Sequence, residues 1–134
     1  MKKGKFFYLT IKGDGLNVNE LKETVDLPCK VYFKGEKTTF QPTNEEFIQK
    51  DDRWLYTAVA QDETPINKFL VEQLEVIKAK LPVLERYIKD YHTLMELVIY
   101  EEEENNAFTM LFSKKVIKLL NIINVKFSLT FHDW

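Results

Sequence analysis

The chain has one cysteine, Cys29, in 134 residues. One thiol excludes an internal disulfide, so no disulfide scaffold holds this fold together. Beside Pro28, Cys29 reads as a small buried hydrophobe. Four glycines leave no room for a phosphate-cradling loop. Gly13-Asp14-Gly15 begins like a dinucleotide fingerprint, but Val18 stands where the third glycine would allow close packing. The two histidines, His92 and His132, lie forty residues apart with no ligand one helical turn away, which gives no zinc site. Cys29 paired with a histidine has no local signature of a thiol nucleophile. No catalytic residue, cofactor or metal site is expected.

Long apolar runs are also missing. No stretch approaches the roughly 20 residues that a membrane span requires. Met1-Lys2-Lys3-Gly4-Lys5-Phe6-Phe7-Tyr8-Leu9 starts like a secretion signal, then stops at Thr10 and Lys12 without a cleavage site. The expectation is a cytoplasmic protein with no membrane partner.

What is present is charge, at 30% of residues, with a net of −2. It is unevenly spread. Residues 41–104 carry fifteen acidic and seven basic side chains, whereas residues 105–134 carry one acidic and four basic. No single basic face for nucleic acid is indicated. An acidic middle can steer a basic partner. Its densest part, Glu101-Glu102-Glu103-Glu104, follows an apolar run and precedes an Asn-Asn turn, which places it at a solvated hairpin tip or a docking surface for a basic protein. Lys114 and Lys115 fall at the start of a helix, where the dipole disfavours cations. Glu103 and Glu104 are the expected compensation.

The apolar pattern gives the elements. Phe7, Leu9 and Ile11 alternate with polar positions as in a half-buried strand, ended by Gly13-Asp14-Gly15. Asn17 caps a short helix with Val18, Leu21 and Val25 inward, and Glu20 completes a capping box. Val31-Tyr32-Phe33 is an extended segment, residues 36–51 read mainly as loop, and Trp54–Val59 is a strand. Thr64-Pro65 opens a helix with Ile66, Phe69, Leu70, Leu74, Ile77 and Leu81 on one face. Pro82 predicts a break, then a second helix with Leu84, Tyr87, Ile88 and Tyr91 inward. Met95, Leu97 and Ile99 mark a strand covered on most of its length, and Phe108–Phe112 a short one. Ser113 caps a last helix with Val116, Ile117, Leu119, Leu120 and Ile123 inward. Asn124 ends it, and Val125–Phe131 alternate as a strand. The order is strand, helix, strand, strand, helix, helix, strand, strand, helix, strand. This predicts one α+β domain over 1–134, a mainly antiparallel sheet with helices packed on it.

Two candidate sites emerge. Lys34-Gly35-Glu36 and Asp51-Asp52-Arg53-Trp54 cluster specific residue types outside an apolar period. Lys34 and Arg53 beside Trp54 would make an aromatic wall with two cations for a small anionic ligand or an enzymatic site. The plainer reading gives Gly35 a turn with positive φ and Trp54 a place in the core. The glutamates Glu101, Glu102, Glu103 and Glu104 form the second site.

Several pieces in order resemble the bacterial domain-of-unknown-function family 4279. They are the opening strand with Gly13-Asp14-Gly15, the helix from Asn17, Phe33-Lys34-Gly35-Glu36, Trp54 on a strand, the helix ending at Leu81-Pro82 with another after it, and the closing strand after Leu120. The chain departs from the family's pattern where Ser113 is followed by Lys114 and Lys115 rather than by an acidic residue. The resemblance implies a small cytoplasmic bacterial α+β protein, of a kind that includes immunity proteins of toxin systems, and brings no catalytic residues. The expected function is therefore a non-enzymatic protein-binding module, an immunity-type inhibitor whose acidic surface meets a basic toxin. The alternatives are the small-ligand site and a structural module that self-associates as a homodimer through Phe6 and Tyr8.

Overall fold

The computed structural model describes residues 4–40, 43–60, 64–101 and 111–133. In chain order the elements are β1 (Gly4–Gly13), α1 (Val18–Val25), β2 (Cys29–Tyr32), β3 (Lys37–Phe40), β4 (Glu45–Ile48), β5 (Asp52–Val59), α2 (Ile66–Asp90), β6 (His92–Glu101), α3 (Lys114–Ile123) and β7 (Lys126–Asp133). Five strands form one sheet in the order β2-β5-β1-β6-β7, and β3-β4 form a separate two-stranded ribbon. β1 runs antiparallel to both β5 and β6, whereas β7 joins β6 in parallel. The order β2-β5-β1-β6, with α1 and α2 as crossovers, is the split βαβ arrangement called ferredoxin-like. α3 and β7 extend it by one more parallel crossover unit. The chain is α+β, as its residue pattern predicts.

Alternation in the strands sends Phe7, Leu9 and Ile11 of β1 and Met95, Leu97 and Ile99 of β6 to the same face, each essentially inaccessible to solvent. Trp54 and Tyr56 of β5 join them. The buried faces of all three helices enter this same cluster: Val18, Leu21 and Val25 from α1, Phe69 to Tyr87 from α2, and Val116, Leu119 and Ile123 from α3. Each fully buried aliphatic side chain contributes about 1.5–3 kcal/mol, so this one layer carries most of the fold's apolar stabilisation.

The caps follow their residues. The Asn17 side chain accepts the Glu20 amide at 3.1 Å, and the Ser113 hydroxyl accepts the Val116 amide at 3.2 Å. Asn124 closes α3 with φ 54°, the left-handed conformation asparagine tolerates. At α2 the pattern shifts by one residue. Pro65 is itself the flanking residue, and no side chain caps that end.

Four further expectations are corrected. Pro82 does not divide the second helix, because α2 is one helix of 25 residues with Pro82 inside it. Ile77, Leu81, Leu84 and Ile88 keep one apolar stripe across the proline and join or pack on the core. That burial outweighs the roughly 3 kcal/mol cost of an interior proline. Residues 36–51 are not mainly loop, since Lys37–Phe40 and Glu45–Ile48 pair as an antiparallel ribbon. Its β4 side chains are all exposed, so no inside-outside alternation was available to mark it. Buried Gln49 anchors its base: Gly35 N–H donates to the Gln49 carbonyl at 2.9 Å, Gln49 N–H donates to Glu36 at 2.8 Å, and the Gln49 amide donates to the Thr38 hydroxyl at 2.9 Å. Ile117 points outward at 56% exposure, while Leu120 is half-buried against the core. Of the short strand expected at 108–112, Leu111 and Phe112 are irregular, and the remainder lies outside the described residues.

Candidate functional site

Lys34-Gly35-Glu36 forms a tight turn. Glu36 N–H donates to the Phe33 carbonyl at 3.0 Å, and Gly35 takes φ 85°. No atom lies within 4 Å of a Cβ built there, so glycine serves the backbone conformation alone. Gly13-Asp14-Gly15 repeats the device: Leu16 N–H donates to Gly13, and Gly15 has φ 80°. One carboxylate ties the two turns together. Asp52 accepts the Lys34 amide at 2.9 Å on one oxygen and the Gly15 amide at 3.2 Å on the other. The Lys34 ammonium lies 3.3 Å from Asp14, so it closes the same junction from outside.

Arg53 and Trp54 leave this junction in opposite directions, as successive residues of a strand must. Trp54 is fully buried in the helix-covered face beside Ile11 and Val31. Its indole N–H has no hydrogen-bond partner among the described residues. Arg53 lies on the other face, 3.6 Å from Asp51, opposite Lys12 and Tyr32 in register. Lys34, Arg53 and Trp54 therefore do not line one pocket. Glu36 is exposed beside the turn. Glu101 ends β6, whereas Glu102, Glu103 and Glu104 lie outside the described residues. Lys115 finds its carboxylate in Glu75 of α2 at 3.8 Å. Among the described residues, no three histidine, cysteine or acidic side chains group as metal ligands. No helix among them is long and apolar enough to cross a membrane.

The sheet face opposite the helices brings together residues from distant parts of the chain. Phe6 of β1 stands between Val59 of β5 and Val98 of β6, and Tyr8 stands between Thr57 and Glu96. Phe6 and Tyr8 stack with centroids 6.4 Å apart. Tyr100 meets Phe6 edge-on at 5.4 Å. Val98 is buried beneath them, yet it belongs to no part of the helix-side core cluster. Val59 is 62% exposed at the rim. Glu96 accepts the Thr130 hydroxyl at 2.7 Å, which ties β7 into this face. Burial above all, then Tyr100 and Glu96, holds the Tyr8 phenol above its ordinary pKa. At neutral pH it is an uncharged hydrogen-bond donor inside an aromatic patch. Phe6 and Tyr8 are visible in the sequence as aromatics on the polar side of β1. Tyr100 and Val98 were missed because β6 is apolar on both faces, and only the register with β1 separates them.

The model of the family described as Domain of unknown function (DUF4279) matches residues 2–134, essentially the whole chain. The protein belongs to DUF4279. No curated protein matches it. For this DUF4279 chain, the Asp52 junction gives the Phe33–Glu36 and Gly13–Gly15 segments a structural role, and the aromatic sheet face is the assembled surface that the core does not explain.

Proposed function

We propose that this protein is a non-enzymatic protein-binding module, an immunity-type inhibitor that meets a basic toxin in the bacterial cytoplasm. The observation that carries the proposal is the Phe6, Tyr8 and Tyr100 patch on the sheet face away from the helices. Rigid aromatics supply large contact area at low entropic cost, which is why such residues anchor protein interfaces. Tyr100 is followed directly in sequence by Glu101-Glu102-Glu103-Glu104. An aromatic anchor next to a run of carboxylates suits a basic partner, whose approach those charges accelerate.

The test uses the product of the adjacent gene, because an immunity protein is expected beside its toxin. Co-expression should rescue growth from that product, and the two should co-purify in a salt-sensitive complex. Tyr8→Ala combined with Tyr100→Ala should weaken the complex by more than about tenfold, a loss typical of interface anchors. Unchanged growth on co-expression, or wild-type affinity in the double variant, would sink the proposal. Light scattering on the protein alone separates a second copy of this chain from a foreign partner on the same face.

A further inference from the structure

A second surface lies on the helical side, remote in kind from the aromatic face. α2 and α3 flank an open groove of about 400 Å³. Its walls carry Lys78 from α2 and Lys114, Lys115 and Lys118 from α3. Among the described residues, Glu75 is the one acidic side chain lining it, and Leu119 and Ile122 give it an apolar floor. Glu75 pairs with Lys115 at 3.8 Å. Among the described residues, Lys78, Lys114 and Lys118 have no ion-pair partner.

This grouping runs against local helix electrostatics. Lys114 and Lys115 occupy the first turn of α3, which holds no acidic residue. A helix N-terminus already carries a partial positive charge, so cations there are disfavoured. The chain nonetheless places two in that turn, then aims Lys118 and Lys78 at the same concavity. The protein as a whole is net negative. A cationic concavity with low-dielectric walls focuses the field and concentrates anions.

We infer that the α2–α3 groove binds a small phosphate monoester bearing a short apolar group. The three unpaired ammonium groups match a dianionic head. Lysine serves as a point charge toward phosphate, with no need for the planar geometry of arginine. Leu119 and Ile122 take the apolar part, with Ile122 at 42% exposure before anything covers it. The volume falls in the range of small-molecule sites rather than extended polymer grooves.

Calorimetric titration of the full chain with hexyl phosphate, inorganic phosphate and hexanol tests the inference. Hexyl phosphate should bind saturably, about tenfold or more tighter than inorganic phosphate, a gap that burial of a few methylenes supplies. Hexanol should not bind measurably. Lys78→Gln with Lys118→Gln should weaken hexyl phosphate by at least about tenfold, with an unchanged thermal melt because both side chains are exposed. Equal affinity for hexyl phosphate and inorganic phosphate would overturn the apolar floor. Unchanged affinity in the double variant would overturn the groove as the site. Vesicles of anionic phospholipid that bind the wild type but not the double variant, with no response to hexyl phosphate, would overturn the soluble ligand in favour of a lipid headgroup.

Discussion

The Asp52 carboxylate accepts the backbone N–H of Lys34 at 2.9 Å, across eighteen residues of chain. Its other oxygen holds Gly15 at 3.2 Å, so a single side chain fixes the exits of β1 and β2 relative to the start of β5. Both turns use a glycine with positive φ, and both present one N–H to the same acid.

Asp52→Ala should cost about 1–2 kcal/mol, because two charge-assisted bonds are lost at a partly solvated site. Asp52→Asn should cost less, since one carbonyl oxygen still accepts. Gly35→Ala should cost about 1 kcal/mol through its backbone alone, there being open space for the methyl group. Urea unfolding of the three variants gives the ranking. An Asp52→Ala variant as stable as wild type would show that the turns hold themselves.

Trp54 is fully buried, and among the described residues nothing accepts its indole N–H. Trp54→Ala should lose about 3–5 kcal/mol through the cavity it leaves. Trp54→Phe should lose clearly less, because the smaller ring removes an unsatisfied donor along with some contact area. Equal losses in the two variants, read from denaturant midpoints, would mean that the indole N–H is satisfied in solution.

Tyr87 is held between α1 and α2, where its hydroxyl donates to Glu20, and Arg86 bonds the same hydroxyl from 2.6 Å while lying over the ring. Burial first, then the Glu20 bond, raises the Tyr87 phenol above its ordinary 10.0, against the opposing pull of Arg86. The folded state thus retains a proton that the unfolded chain releases near its ordinary pKa. The associated stability is full below that value and is lost as pH rises through the higher folded pKa. Tyr56 and Tyr8 are shifted the same way, each by burial first. Stability measured by urea unfolding should hold up to about pH 9 and fall as pH rises past about 10, and Tyr87→Phe should flatten that slope. An identical slope in the variant would remove Tyr87 from the account.

Much of the scaffold was legible from residue order. Alternation at Phe7, Leu9 and Ile11 located β1, and Asn17, Ser113 and Asn124 marked helix ends that the structure places where their chemistry suggests. Local rules failed where distant contacts decided the outcome. Pro82 was read by its local cost, while the stripe from Ile77 to Ile88 sets the result. The β3-β4 ribbon stands on backbone pairing and on Gln49, with no hydrophobic side to betray it. The candidate site suffered the same way. Lys34, Arg53 and Trp54 are close in sequence type and spacing, yet one faces a turn and the other two lie on opposite sides of a strand. The lysine groove needs α2 and α3 side by side, and the sequence sets Lys78 and Lys118 forty residues apart.

β1 sits at the centre of the sheet, with Phe7, Leu9 and Ile11 on one side and Phe6, Tyr8 and Thr10 on the other. Change at the odd-numbered positions is answerable to the interior. Change at the even-numbered ones is answerable to whatever meets the outer face. A single ten-residue strand can therefore drift toward a new partner, one alternate residue at a time, without disturbing the packing that keeps it folded.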